Sequence, residues 1–548
     1  MSAYANPVYA YRHSPDQDGP PAHHPVVVVG AGPVGLCAAI GLAVRDVPVV
    51  LLDDDQMVSV GSRAICWAKR TLEIFDRLGC GQPVIDKGVG WNVGRVFHRD
   101  RLVFRFDLLP EPGHHRPAFV NLQQYHVEEI LVDRLIALPA ADLRWMNKVV
   151  AVTPKADRIG LRIDTPDGDY AASCDWLIVA DGARSPVRTM MGLEAEGQVF
   201  HDRFLITDIR MKSDFPPERW FWFDPPFHPK QSALLHRQAD DIWRIDLQLG
   251  WDADPEVEKT AERILPRLRA MLGEQAEFEI EWASVYTFQC RRLQDFRHGR
   301  VLFAGDAAHL VSPFGARGAN SGIQDVDNLV WKLRLVLSGH APERLLDTYD
   351  SERVAAADEN IRHSTRATDF ITPKSAVSRL FRDAVLGLAS EYPFARSLVN
   401  SGRLSKPAVL ANSPLNTDDT DAFEGAMVPG APAADAPVTG PGSRWFLDYL
   451  RGTFTLVAFG PVVPPDAAAL LYREPVRCVV VQVLADGPEK HADSQVAISD
   501  AAGLLATRYD GRPGTCYLFR PDQHVCARWR SFDLDAVHAA IARATGRA

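Results

Sequence analysis

The stretch from Val26 to Gly35 constrains this chain more than any other. Val26 to Val29 is an unbroken apolar run, suited to a strand buried on both faces of a parallel sheet. Gly30-Ala31-Gly32-Pro33-Val34-Gly35 follows, and Gly35 to Arg45 reads as a helix with small residues on its inner face. Val47 to Leu52 is a second buried strand, closed by Asp53, Asp54 and Asp55. A right-handed crossover sets the two strands side by side. The first glycine permits the turn, the second lets backbone approach a pyrophosphate, and the third lets helix and strand pack closely. The anion then rests on the free N–H groups of the helix start. Asp53 ends the next strand where an acid meets an adenosine ribose, which argues against a 2′-phosphate there.

Val26 to Val44 is also uncharged and long enough to suggest a membrane span. Its four inner glycines, Pro33 and the change from β-branched to Ala/Leu residues favour strand, turn and helix, so no stable membrane insertion is expected. At 548 residues the chain is too long for one core, and two or three domains are expected. The net charge of −10 offers no basic excess for nucleic acid. Cys37, Cys66, Cys80, Cys174, Cys290, Cys478, Cys516 and Cys526 include no C-x-x-C pair, so neither a metal knuckle nor a dithiol motif is indicated. Dispersed cysteines and a Met1–Pro25 segment without a basic-then-apolar pattern fit a reducing, cytoplasmic setting.

Further along, Ala64 to Leu78 and Tyr125 to Leu138 read as helices, and Asp175 to Ala180 as a strand. Phe204 to Met211, Ser232 to Arg237 and Trp243 to Leu249 read as strands of a separate antiparallel sheet. Arg300 to Ala304 is another buried strand, and a helix runs from about Asn320 to Leu337. Residues 412–443, rich in Pro, Gly, Ala and Asp, mark a linker or an irregular connection. The organisation expected is an N-terminal extension (1–25), a discontinuous dinucleotide domain (26–201 and 282–411), an inserted substrate sheet (202–281), the linker, and a C-terminal domain (444–548).

Two further strand ends decide which dinucleotide. Asp181-Gly182 follows Leu177–Ala180, and Gly305-Asp306 follows Val301–Ala304. Three such ends can converge on one extended ligand. A carboxylate such as Asp306 accepts hydrogen bonds from polyol hydroxyls, and FAD has a ribityl chain where NAD has none. The fold class is therefore α/β, a Rossmann-like FAD-binding domain with an inserted antiparallel sheet. No second G-x-G-x-x-G follows a suitable strand, so no separate nicotinamide domain is expected. The helix after Gly318 points its N-terminal amides at the flavin edge that gains negative charge on reduction. In structural terms alone, Asn320 is a helix N-cap.

The order and spacing of these motifs, from Val26 to about Arg366, resemble the single-component FAD-dependent aromatic hydroxylases, such as p-hydroxybenzoate, phenol and 3-(3-hydroxyphenyl)propionate hydroxylases. The resemblance implies that Pro313, Gly318, Ala319 and Asn320 lie along the flavin ring. It implies that Arg63 and Gln124 touch FAD, and that Asp181-Gly182 serves both FAD and a transient NADH or NADPH donor. It further implies reaction with O2 and oxygen transfer from a flavin C4a-hydroperoxide to an electron-rich ring. The segment Cys516–Val525 resembles the thioredoxin-like tail domain of the phenol hydroxylase branch, where a structural or homodimer-forming role is the default.

A substrate-deprotonating base is less legible. Some relatives carry an acid just after the Arg63-Ala64 pair, where this chain has Ile65. His236, Asp246 and Gln248 are candidates for substrate contact, with Tyr286 and Pro313 as further catalytic candidates; strand alternation puts Asp246 and Gln248 on one face. Trp220 to Phe223 read as core or lid packing. Two other readings share the fold: tailoring oxidation of a polycyclic natural product, and a non-catalytic FAD-binding protein. The Trp-x-Trp-x-Ile-Pro segment of flavin halogenases is absent.

Overall fold

The protein is described here from a computed structural model, which covers residues 5–399, 405–484, 490–492 and 495–548. Its first sheet runs in the order Arg297–His298, Val301–Phe303, Gly168–Val179, Ala22–Val29, Val49–Leu52, Ala141–Arg144. From Val301–Phe303 to Ala141–Arg144 the neighbours are parallel. The register aligns Val29 with Val179 and Val179 with Phe303. The three motifs therefore leave the sheet side by side at its carboxyl edge. Helices Pro33–Ala43 and Gly318–Leu337 pack against each other, with Val330 in contact with the Gly41 backbone. The apparent membrane span is thus a buried strand and a buried helix, and among the described residues no helix is long and apolar enough to cross a membrane.

The second sheet is broader than residues 202–281. Its order is His309–Leu310, Glu279–Arg292, Glu196–Arg210, Ile242–Leu249, Ser232–Arg237, Arg219–Phe223, Val93–His98, Arg101–Asp107. The last two strands come from well upstream in the chain, and Arg219–Phe223 pairs with Val93–His98 in parallel. Their short alternating pattern gave no sign of so distant a partner. One face of this sheet buries Leu205, Trp243, Ile245 and Leu247 beneath helix Ala261–Leu272. Its other face carries Phe204, Phe221, Phe223 and Phe288 towards helices Asp347–Ile371 and Ala376–Ala389.

One local expectation needs correction, and two segments gain detail. Ala64–Leu78 is not wholly helical: Cys66–Ala68 is a strand paired with Phe119–Asn121, and the helix begins at Lys69. Tertiary pairing overrides helical periodicity there. The N-terminal extension is docked: the first strand already starts at Ala22, Tyr9 stacks on Trp145 at 4.7 Å, and Arg144 donates to Asp16 at 2.7 Å. Residues 412–443 form a largely irregular connection that lies against the C-terminal sheet. Gly430 N–H donates to Val525 O at 2.7 Å, Arg528 donates to Asp419 at 2.9 Å, and Thr439 pairs with Ser499.

The C-terminal sheet has Phe454–Phe459 parallel to Cys478–Leu484, with helix Pro465–Arg473 between them in sequence. Cys516–Phe519 and Val525–Trp529 follow as antiparallel neighbours, and helix Leu534–Ala544 closes the chain. This unit is bonded to the first domain by buried charges. Glu352 accepts from Lys332 at 2.7 Å and from Arg520 at 2.6 Å, while Arg520 also reaches Asp522 at 2.6 Å. None of the four side chains is more than 1% exposed. Burial alone would raise the Glu352 carboxyl, but Arg520 and Lys332 hold it far below the usual carboxylate range. Removing one partner of such a pair strands the other charges in the interior. Glu352→Gln is expected to cost about 3–5 kcal/mol, read as a lowered urea unfolding midpoint, and an unchanged midpoint would refute it.

Candidate functional site

The glycine loop is built by close approach. A Cβ at Gly30, whose φ is +102°, would lie 2.5 Å from Ala180 O, and one at Gly35 would lie 1.8 Å from Gly30 O. Gly32 is different: nothing lies within 4 Å of its Cβ position, so open space faces the start of helix Pro33–Ala43. Two glycines close the backbone and the middle one leaves room for a phosphate, which fits a pyrophosphate at the helix start. Asp53 Oδ2 accepts the Ala31 N–H at 2.5 Å and Oδ1 accepts the Asp55 N–H at 2.9 Å. Burial pushes its carboxyl up to about 6.

Asp181 Oδ2 accepts the Val187 N–H at 3.0 Å, while Oδ1 is buried without a partner. Gly182 has φ +81° and open space around its Cβ position. Arg188 donates to Ala183 O at 2.7 Å and Ala307 O at 2.9 Å, tying the second motif to the third. Gly305 turns the chain so that Asp306 lies beside Gly318, with Oδ1 at 3.9 Å from the Gly318 Cβ position. Burial raises the Asp306 carboxyl, opposed by His309, Arg63 and Arg188. Behind it, Asp325 accepts from His309 at 2.6 Å, Arg353 at 2.7 Å and the Gly305 N–H at 3.0 Å. Against the upward pull of burial, His309 and Arg353 hold Asp325 down at about 2.

The segment from Pro313 to Arg317 is a turn, with Ala316 N–H donating to Pro313 O at 3.0 Å. The helix starts at Gly318 rather than near Asn320, so Asn320 is not the N-cap; that position is Arg317. The Asn320 side chain accepts from Ala68 N–H at 2.8 Å and Thr71 at 2.6 Å, and donates to Cys66 O at 2.8 Å and Ala316 O at 2.6 Å. It stitches the helix start to strand Cys66–Ala68. Gln124 likewise binds the loop that carries Arg63: it donates to Ser59 at 3.1 Å and Glu128 at 2.8 Å and accepts from Ala64 N–H at 3.0 Å. Arg244, which the sequence reading missed, secures the same loop. It forms a two-pronged pair with Asp208 at 2.8 and 2.7 Å and donates to Ser62 O at 2.5 Å.

Next to Phe314, Gly315 and Arg317 lies a cavity of about 290 Å³. Phe106, Phe221, Phe223 and Phe370 line it together with Arg95, Arg219, His363 and Arg366. Strand alternation explains the lining: Phe221 and Phe223 face the cavity, whereas Trp220 and Trp222 sit on the opposite face among Phe97, Phe215 and Phe227. Two of the four aromatics expected to be packing therefore form the cavity wall. Arg219 shares their i, i+2, i+4 spacing, a signal present in the sequence. Arg317 was visible within the Pro313–Arg317 segment, while His363 and Arg366 lie on a helix that the sequence reading left without a role.

The proposed substrate contacts separate. Gln248 Oε1 accepts from Ser232 N–H at 3.0 Å and Oγ at 2.9 Å, so it closes a strand pair. His236 is outside the cavity lining, buried with its ring 5.9 Å from that of Trp91, and burial, with Arg219 and Arg244 nearby, holds its imidazole well below the usual range. Tyr286 is sensitive to Asp306 and Arg63, and burial pushes its phenol up to about 12. Asp246 neighbours Arg219 and Arg244 electrostatically, and burial lifts its carboxyl to about 6.

Residues 23–364 match the family model described as FAD binding domain. The chain is 30% identical over 543 residues to a 6-methylpretetramide 4-monooxygenase of Streptomyces rimosus, covering 94% of this chain and 91% of that protein. It is 30% identical over 527 residues to a 3-(3-hydroxy-phenyl)propionate/3-hydroxycinnamic acid hydroxylase of Mycolicibacterium gilvum, covering 92% and 88%. The flavin-dependent monooxygenase PieE, solved with FAD and substrate, shares the fold with a TM-score of 0.80 at 23% identity, over 97% of this chain and 100% of that one. The chain belongs to the FAD-binding-domain family of single-component flavoprotein monooxygenases, the group A aromatic hydroxylases. Its cofactor is FAD, with NADH or NADPH as the electron donor typical of the family.

Two outcomes check the site. Gly35→Ala forces a Cβ into Gly30 O, and overpacking of this kind costs ~1–3 kcal/mol. At about 1.4 kcal/mol per tenfold, FAD affinity should drop roughly fivefold or more, and an unchanged Kd would refute the packing argument. The lowered Asp325 carboxyl contributes stability that is complete above the ordinary carboxylate range and is lost as pH falls towards about 2. Unfolding midpoints across pH 7 to 3 should show a shallower acid decline in Asp325→Asn than in the parent chain.

Proposed function

We propose that this protein uses NADH or NADPH and O2 to hydroxylate a phenolic or related aromatic ring. The observation that carries the reading is the Phe- and Arg-lined cavity abutting Phe314, Gly315 and Arg317, in the segment between the third strand-end motif and helix Gly318–Leu337. Gly30, Gly32 and Gly35 would hold the FAD pyrophosphate and Asp53 the adenosine ribose. Arg63, Asp181, Gly182, Gly305 and Asp306 would line the middle of the cofactor, with Gln124 holding the Arg63 loop in place. Pro313, Gly318 and Ala319 would lie along the ring, with Asn320 fixing their backbone. When bound, FAD supplies acceptance of a hydride and activation of O2.

The chain's own contribution is positional and electrostatic. The N-terminal amides of helix Gly318–Leu337 favour negative charge at the ring edge they face. Phe221, Phe223, Phe314 and Phe370 exclude water and offer flat apolar walls to an aromatic substrate. Arg219 and Arg317 add positive charge to that lining, Arg95 being paired with Glu218 at 2.5 Å, and so favour an electron-rich, partly anionic ring.

A polycyclic substrate is the second reading, favoured by the extent of the cavity from Arg95 on the sheet to Ser397–Val399 beyond helix Ala376–Ala389. Its support includes the relative named for 6-methylpretetramide and the fold shared with an aklavinone-11 hydroxylase, TM-score 0.76 at 21% identity. The C-terminal domain is read as thioredoxin-like, supported by its parallel pair, two antiparallel strands and closing helix. Cys478, Cys516 and Cys526 are buried, and burial pushes the Cys516 thiol up to about 12, so a structural role fits better than thiol chemistry.

The test is NADPH and NADH oxidation by the FAD-loaded protein across simple phenols and hydroxyanthraquinones, with isotopically labelled O2. Stimulated oxidation and one labelled oxygen in the product are expected. Oxidation that no aromatic stimulates, yielding peroxide alone, would overturn the reading.

A further inference from the structure

The cavity face of the second sheet carries two arginine–aspartate sets, and only one is closed. Arg244 and Asp208 pair through both prongs and are nearly inaccessible, at 2% and 5% side-chain exposure. Their work is to hold the Ser62–Arg63 backbone. Arg219 and Asp246 are close enough to perturb one another, yet they form no ion pair within 4.0 Å among the described residues. Arg219 Nε and Asp246 Oδ1 are both buried without a hydrogen-bond partner. Buried polar groups are rarely left so, and two complementary orphans near one cavity call for a ligand group between them.

The register shows where that group would sit. Asp246 pairs with Leu234, and Leu234 belongs to the same apolar cluster as Phe221, Phe223 and Phe314. Arg219 begins the strand whose Phe221 and Phe223 line the cavity, and it lines the cavity itself. Both charges also sense Cys66, whose carbonyl is held by Asn320 at the start of the flavin-facing helix. The pair therefore lies between the aromatic cavity and the backbone along which the flavin ring is placed.

We infer that Arg219 and Asp246 together receive an ionisable hydroxyl on the substrate ring, Asp246 taking its proton and Arg219 holding the resulting oxyanion. This rests on the proposed hydroxylase reading and names the group that the substrate must present: a phenol or enol rather than a bare ring or an ether. The step balances. The substrate O–H bond breaks, a carboxyl O–H bond forms on Asp246, and the negative charge passes from the carboxylate to an oxygen beside the guanidinium. An ionised ring oxygen feeds electron density into the ring and so prepares it for electrophilic oxygen. The raised Asp246 carboxyl suits it to exchange a proton near neutral pH. The charged groups that face it are Arg244, Asp208 and Arg219, with the Cys66 thiol beside Arg219 and Arg244.

The probe is 1,8-dihydroxyanthraquinone, whose phenolate absorbs to the red of its neutral form, with its dimethyl ether as control. FAD-loaded protein should bind the phenol as phenolate near neutral pH and bind the ether more weakly. Asp246→Asn, nearly isosteric, should bind the phenol in its neutral colour, with the phenolate fraction down roughly tenfold, an apparent shift of about one pKa unit. Arg219→Gln should lose the phenolate colour, while Arg219→Lys should restore part of it; FAD content and unfolding midpoint report whether each variant is folded. A neutral phenol in the parent protein, or a phenolate fraction unchanged in both Asp246→Asn and Arg219→Gln, would overturn the inference. If other phenols still stimulate NADPH oxidation and yield labelled product, the hydroxylase reading survives that result. If none does, the hydroxylase reading fails with it.

Discussion

The structure depends on backbone meeting backbone without side chains between. Gly30 presses on Ala180, and Gly35 on Gly30. In the same way, a Cβ at Gly322 would lie 2.9 Å from the Gly305 Cα. These contacts bring the carboxyl ends of three parallel strands and the starts of two helices into one small region. No long side chain could achieve this, because even one methyl group at these points overlaps a main-chain atom. The site is thus defined first by exclusion, and only then by the carboxylates and guanidiniums around it.

Around that centre the polar side chains mostly hold loops rather than face outward. Gln124, Asn320 and Arg244 each join segments far apart in sequence, and each is largely satisfied within the protein. Arg63 is placed by Arg244 and Gln124, although neither adjoins it in sequence. The His309–Asp325–Arg353 chain does the same for Gly305 and Asp306. Arg219 Nε and Asp246 Oδ1, like Asp181 Oδ1, are left without such a partner.

The elements legible in the sequence were those whose evidence is local. The glycine loop, the buried strands near it and the acids at their ends follow from short-range geometry. So did strands Ser232–Arg237 and Ile242–Leu249, close to where alternation put them. What local pattern could not supply was partnership across long separations. Strand Val93–His98 joins Arg219–Phe223, Cys66–Ala68 joins Phe119–Asn121, and residues 412–443 lie on the C-terminal sheet. The cavity was hidden for the same reason: its walls come from a sheet and from helices more than a hundred residues later. His236 and Gln248 were reasonable by residue type, but their neighbours had already claimed their polar atoms or buried them away from the cavity.

The buried Glu352 gives the C-terminal domain a further meaning. Lys332 belongs to the helix that begins at Gly318, and Glu352 belongs to the helix whose later part carries His363 and Arg366 into the cavity lining. Arg520, from near the end of the chain, is the counter-charge that lets Glu352 remain ionised between them. Without Arg520 and Asp522, Glu352 would keep Lys332 but lose the guanidinium that meets its carboxylate. Arg520 thus ties the C-terminal sheet to two helices of the first domain, one of which also lines the cavity.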